Sequence, residues 1–187
     1  RGGTNILWNI CQSHPQVCSP IYETSEILLF RQKKFLKRIN NRLTLRLIRN
    51  KYFLDSPLTK ILGGFIDRKL YHLKLSTLSN VDNRYKAEDQ VYNLEEVKKT
   101  TLCLKSLNHV INFTDLFAKM YEKLYIIGLI RDGYALCEGW VHRLGKNARL
   151  AGKAYQMVGK KMIQDKKRYK NYLILKFEDV IKDPFKF

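Results

Sequence analysis

The sequence predicts an α/β domain with a mainly parallel central sheet flanked by helices. Two stretches carry that reading. Residues 124–143, LYIIGLIRDGYALCEGWVHR, read as a seven-residue buried strand, a sharp turn at Arg131-Asp132-Gly133 and an amphipathic helix from Tyr134 to Arg143. Residues 172–177, YLILKF, form a second apolar strand, followed by Glu178-Asp179 and a short helix that Pro184 terminates. Helical patterns fall between the strands, and that alternation favours parallel strands joined by crossovers. The carboxyl ends of such strands open on the ligand crevice, so Arg131 is a candidate ligand contact.

Taken in order, residues 1–14, RGGTNILWNICQSH, read as a glycine turn that opens a helix. Gly2 and Gly3 permit unusual backbone angles, and Thr4 or Asn5 suits the cap position. Ile6, Leu7, Ile10 and Cys11 give one apolar face, and Pro15 stops the helix. A helix opening on a glycine turn is an anion site, because its N–H groups and dipole face the ligand. A strand is expected before Arg1. The loop lacks the GKS/T ending of a Walker motif, which argues against a nucleoside triphosphatase. Val17-Cys18-Ser19 reads as a short strand, and Glu23 and Glu26 then stand close together in a basic region.

From Arg31 to Lys51 there are nine Lys/Arg and no acids. Leu36, Ile39, Leu43 and Leu47 recur at helical spacing, with Lys34, Arg38, Arg42, Arg46 and Arg49 mostly on another face. The stretch is a solvated basic helix over the core, or a docking face for an acidic acceptor or a membrane surface. A helix from Asp55-Ser56-Pro57 through Leu70, a polar loop at 76–89 and a short helix at 94–99 follow. Residues 100–104 read as a strand ending at Lys105, and 107–123 as a helix with a break at Thr114-Asp115. A last long helix covers 149–168, with Leu150, Ala154, Met157 and Met162 apolar.

A chain of 187 residues supports one sizeable core, and a single domain is expected. The net charge of +18 favours anionic partners such as nucleotides, glycans or acidic lipid. Nucleic acid is disfavoured, since the basic side chains are not interleaved with aromatics and no helix-turn-helix, zinc or ribonucleoprotein motif is visible. Cys11, Cys18, Cys103 and Cys137 lack metal-type spacing and read as reduced core residues of a cytoplasmic protein. No metal is expected. The chain opens on Arg and closes on KDPFKF, which reads as a fragment truncated at both ends, so an anchor could lie outside it.

Three segments fall into one ordered pattern. RGGTNILWNICQSHPQV resembles the RSGTTLL…SHP phosphosulfate loop of sulfotransferases, particularly the Golgi and bacterial branches. IIGLIRDGYALCEGWVHR resembles their 3′-phosphate segment, a strand followed by VRDGRAxxxS, and YLILKFEDVIKDP resembles their later YLxxRYEDLxxDP. The resemblance implies a P-loop-like three-layer fold that binds 3′-phosphoadenosine 5′-phosphosulfate and moves its sulfuryl group to a hydroxyl or amine, on a glycan or a protein tyrosine. It implies that Arg1, Gly2, Gly3, Thr4 and Asn5 hold the 5′-phosphosulfate and that Arg131 pairs with the 3′-phosphate, where a planar guanidinium can donate two hydrogen bonds. The family's serine eight residues after that arginine is Gly139 here, Gly2 replaces another serine, and Asn5 a threonine. The tyrosylprotein branch has a base in a Glu-Thr pair after its SHP segment; Glu23-Thr24 stands there with one residue inserted. Cytosolic members use a histidine near the end of the strand before the Arg strand, and His109 lies further on without their Thr-His pair. Glu23 is thus the candidate base, with Arg1 and Lys105 as candidate electrostatic partners of the transfer. The alternative is a non-catalytic protein on the same fold that binds an anionic nucleotide or polysaccharide.

Overall fold

A computed structural model describes residues 3–20, 23–24, 28, 43–76, 93–145, 147–184 and 186. Helix and strand are mixed, in the order α1 (Thr4–Gln12), β1 (Val17–Cys18), α2 (Lys51–Leu54), α3 (Pro57–Ser76), α4 (Leu94–Lys99) and β2 (Thr101–Leu102). A 3-10 helix (Asn108–Phe113), α5 (Thr114–Met120), β3 (Ile126–Ile130), α6 (Gly133–Leu144), α7 (Ala148–Arg168), β4 (Tyr172–Lys176) and α8 (Phe177–Lys182) complete it. Contacts divide the chain into two compact units, Arg1–Leu7 with Lys123–Phe187, and Trp8–Glu122.

Both strand pairs are parallel, as expected: Val17 stands opposite Thr101 in β1/β2, and Ile126 to Ile130 run beside Tyr172 to Lys176 in β3/β4. Among the described residues these form two two-stranded sheets and not one central sheet. Length is the reason for the first. Pro15 and Pro20 flank β1, and the α4 cap at Thr100 directly precedes β2, so each strand has two residues.

In the first unit, α6 and α7 form the crossover that a parallel β3/β4 pair requires. Asp132 caps α6 by accepting from the Ala135 N–H at 2.8 Å. Gly145 ends the helix in the left-handed region, φ 58°, with its N–H bonded to the Trp140 carbonyl. Helix α7 buries Ala151 and Met162, with Tyr155 and Val158 half-buried along the same ridge. The ridge expected from Leu150 and Met157 is rotated by about one residue, and both side chains are exposed. Asp165, fully buried on that ridge, is ion-paired with Lys161 one turn away. Strand β3 is buried on one face only. The cross-strand partners Ile127 and Leu173 are about half exposed, so the fully buried strand expected from its apolar run is not what forms.

The second unit is built around Ile48, Ile66, Leu70, Val110, Phe113 and Leu116. Helix α3 runs six residues beyond the expected Leu70, because Leu70 itself is buried and Leu73 packs on the same core. Helix α4 matches its expected bounds, closed by a reciprocal box between Asn93 and Glu96. The break expected at Thr114-Asp115 in the 107–123 helix falls at Thr114, where the 3-10 part gives way to the α part and the Thr114 hydroxyl donates back to the Ile111 carbonyl. Most of the basic stretch and of the polar loop at 76–89 lies outside the described residues. Residues 43–48 are helical, and their buried side is Leu45 and Ile48. Leu43 and Leu47 face outward, so the apolar face drawn through them is not the core face. No helix among the described residues is long and apolar enough to cross a membrane.

Helix α7 contains Gly152 and Gly159, where an added Cβ would meet nothing within 4 Å. Gly152→Ala and Gly159→Ala should each raise unfolding free energy by about 0.5–1 kcal/mol, read from urea midpoints. Gly128→Ala should lower it, since its Cβ would collide with the Met162 methyl. Stabilisation at Gly128, or loss at both helical glycines, would contradict this packing.

Candidate functional site

The expected glycine turn opening a helix is seen from Gly3 onward; Arg1 and Gly2 lie outside the described residues. Gly3 is the cap of α1. Its carbonyl accepts from the Ile6 N–H at 3.0 Å and the Leu7 N–H at 3.4 Å, so the cap falls one residue before Thr4, the earlier of the two expected caps. Thr4 and Asn5 are the first helical residues. The turn depends on glycine for two reasons. Its φ is +77°, and a Cβ there would collide with the Phe177 ring. Gly3 contributes no side-chain oxygen to the helix start, where N–H groups and the dipole attract anions.

Arg131 follows β3 and belongs to the same unit as the glycine turn. Its guanidinium lies over the Phe177 ring, 5.0 Å from the centroid. The backbone beneath it is fixed on several sides. Tyr155 Oη donates to the Arg131 carbonyl at 2.8 Å, and the Asp132 N–H donates to Glu178 Oε1 at 2.9 Å. The second bond, with a smaller contribution from Arg131, holds the Glu178 carboxyl below the usual carboxylate range. One aromatic ring therefore touches both elements that the sequence singled out as candidate ligand contacts, the turn at Gly3 and the arginine at 131.

Phe177 was not singled out in the sequence. The available signal was its place at the end of YLILKF, next to Glu178, in a segment already marked by its family-like pattern. Gly139 lies on α6, within the same unit, and a Cβ built there meets nothing within 4 Å. A concavity of about 240 Å³ runs along this side of α6, with Arg131 at one end, Gly139 on its floor and Arg143 at the other end.

Glu23 and Lys105 belong to the other unit and meet there: Lys105 Nζ lies 3.0 Å from Glu23 Oε1. Thr24, fully buried, sets that meeting. Its N–H and its hydroxyl both donate to the Lys105 carbonyl, at 2.9 and 3.1 Å, and Ser106 Oγ donates to Thr24 Oγ1 at 2.8 Å. These bonds continue the β1/β2 pairing, in which the Thr101 N–H reaches the Gln16 carbonyl and the Cys103 N–H the Cys18 carbonyl. Lys105 also stands 4.8 Å over the Trp8 ring of α1. Trp8 and Thr24 were thus the unassigned partners of two assigned residues. The backbone of His109 lies in the 3-10 helix that follows this strand.

Near the same strand, Cys11 of α1 shares a hydrogen bond with Cys103, which holds the Cys11 thiol down at about 7 against the opposing effect of burial. Cys103, tied to Cys11 and more deeply buried, is pushed up and keeps its proton. Comparison of the chain with protein-family models, curated proteins and solved structures returns no match.

Gly3→Ala should destabilise the folded state by about 1–2 kcal/mol from backbone strain alone, with a further loss from displacing the ring, read from the thermal midpoint. An unchanged midpoint would contradict the close contact. Because the Cys11 thiol is held low, its alkylation by iodoacetamide should rise as pH passes through about 7, while Cys103 stays unreactive. Peptide mass spectrometry across neutral pH reads this directly, and a Cys11 profile centred near the ordinary ~8.5 of a thiol would overturn it.

Proposed function

We propose that the chain is a sulfotransferase with a P-loop-like fold that uses 3′-phosphoadenosine 5′-phosphosulfate and modifies a hydroxyl or amine, on a glycan acceptor. The observation that carries this reading is the Phe177 ring against Gly3 and under Arg131. It gathers, in one unit, a helix start suited to one phosphate and a guanidinium suited to another. The residues fit the donor by charge and by donor chemistry: backbone N–H groups at a side-chain-free cap, and a planar cation on a fixed turn.

When bound, the nucleotide supplies the sulfuryl group and the phosphate that leaves. Thr4 and Asn5, with Arg1 and Gly2 before them, hold the 5′ end through the helix start. Arg131 holds the 3′-phosphate, its position set by Tyr155, Glu178 and Phe177. Glu23 takes the proton of the acceptor hydroxyl at a carboxylate oxygen. Lys105 orients that carboxylate from 3.0 Å. Positioning and electrostatics are the main demands of such a transfer, as in phosphoryl transfer. The engagement of Glu23 by Lys105 also favours a second reading, an anion-binding protein on the same fold in which this pair is structural.

3′-Phosphoadenosine 5′-phosphate should raise the Tm of the wild type, and Arg131→Ala should abolish the shift. A wild type without a shift overturns the donor site. Glu23→Gln should keep the shift and lose about 100-fold or more of labelled-sulfate transfer to a responsive glycan. Unchanged transfer removes Glu23 as base. A wild type that binds the donor yet sulfates neither glycans nor tyrosine peptides supports the binding-protein reading.

A further inference from the structure

The side of α6 that faces the concavity is a ridge of positions Ala135, Gly139 and Arg143, four residues apart and stacked along the helix. Ala135 and Gly139 give the ridge a low floor. Arg131 closes it where the helix begins, and Arg143, in the last turn, closes it at the other end beside Trp140. Two arginines thus line one opening of about 240 Å³. The wall also carries Glu138, whose carboxylate lies 3.9 Å from His142 Nε2 on the same helix. Positive charge exceeds negative along the rim, and the floor offers no hydroxyl. An anion entering here meets an arginine at each end, with Trp140 and His142 as the N–H donors between them and no hydroxyl.

Resting on the reading of Arg131 as a phosphate contact, we infer that Arg143 is the second cation for the nucleotide's 3′-phosphate and does the work of the hydroxyl absent at Gly139. A phosphate monoester has three terminal oxygens, more acceptor sites than one guanidinium fork can fill. Arg131 stands at the strand end, and Arg143 stands one turn beyond Gly139 on the same helix. A side chain at 139 would occupy the path between them, so the missing serine and the second arginine are two parts of one arrangement. Glu138 sets the selectivity of this end: it repels a further anion and leaves room for one phosphate.

The test compares binding of 3′-phosphoadenosine 5′-phosphate with that of adenosine 5′-phosphate, which lacks the 3′ group, by isothermal titration. Arg143→Ala should weaken the bisphosphate about tenfold or more and leave the monophosphate unchanged. Adding Gly139→Ser to Arg143→Ala should recover part of the loss, because the serine enters open space and restores a donor. Glu138→Gln should tighten the bisphosphate. Arg143 is exposed, and an unaltered Tm without ligand checks that the variant folds. A wild type that binds the bisphosphate while Arg143→Ala binds it equally well overturns this inference alone. Equal weakening of both nucleotides also overturns it, because the loss would not lie at the 3′ end. A wild type that ignores the bisphosphate overturns this inference together with the reading beneath it.

Discussion

The turn after β3 is where the geometry of the first unit is decided. A chain leaving a parallel strand must satisfy its backbone groups while presenting a charged side chain outward, and here the satisfaction is external. Tyr155 of α7 takes the Arg131 carbonyl, Glu178 of α8 takes the Asp132 N–H, and Asp132 itself caps α6. Three helices therefore share one two-residue turn. The guanidinium is further located by the ring of Phe177 beneath it, while the neighbouring Glu178 carboxylate accepts from the backbone. A fixed cation loses less conformational entropy when it binds an anion than a mobile surface arginine would.

The second unit uses the same device with different chemistry. Thr24 is too small to reach a ligand from its buried place, yet its two bonds to the Lys105 carbonyl decide where Glu23 and Lys105 can be. Carbonyl and amide groups carry the positioning, and the charged side chains are left for contact with one another. Burial of a threonine is inexpensive when its hydroxyl both donates and accepts, as this one does with Lys105 and Ser106.

Elements with a local signal were legible in the sequence. The 94–99 helix has its own capping box, and β3-turn-α6 and β4 have apolar runs bounded by turn residues. What escaped was set by contacts distant along the chain. Which face of α7 is buried depends on Met162 meeting Gly128 and Tyr172, and a helical wheel drawn from Leu150 or Met157 has no access to that. The helix near Leu43 and Leu47 turned the same way, toward Ile48, for the same cause. Among the site residues, glycines and charges were legible by type, since few residues can take φ +77° or pair with an anion. Phe177, Tyr155 and Thr24 were not, because aromatic and hydroxyl side chains are common in cores, and only the fold shows which of them touches Gly3, Arg131 or Lys105.

The contact of Gly3 with Phe177 also fixes an order of events. Residues of the glycine turn are synthesised well before their packing partner Phe177, which lies far along the sequence. The intervening 8–122 unit has its own core and can condense in the meantime. Until β4 and α8 arrive, the start of α1 lacks the ring that packs against its cap. Closure between such distant segments is slow compared with helix formation. Nascent chains thus pass through a stage in which the 8–122 unit is formed while the glycine turn still lacks its packing partner, and that turn matures once Phe177 is in place.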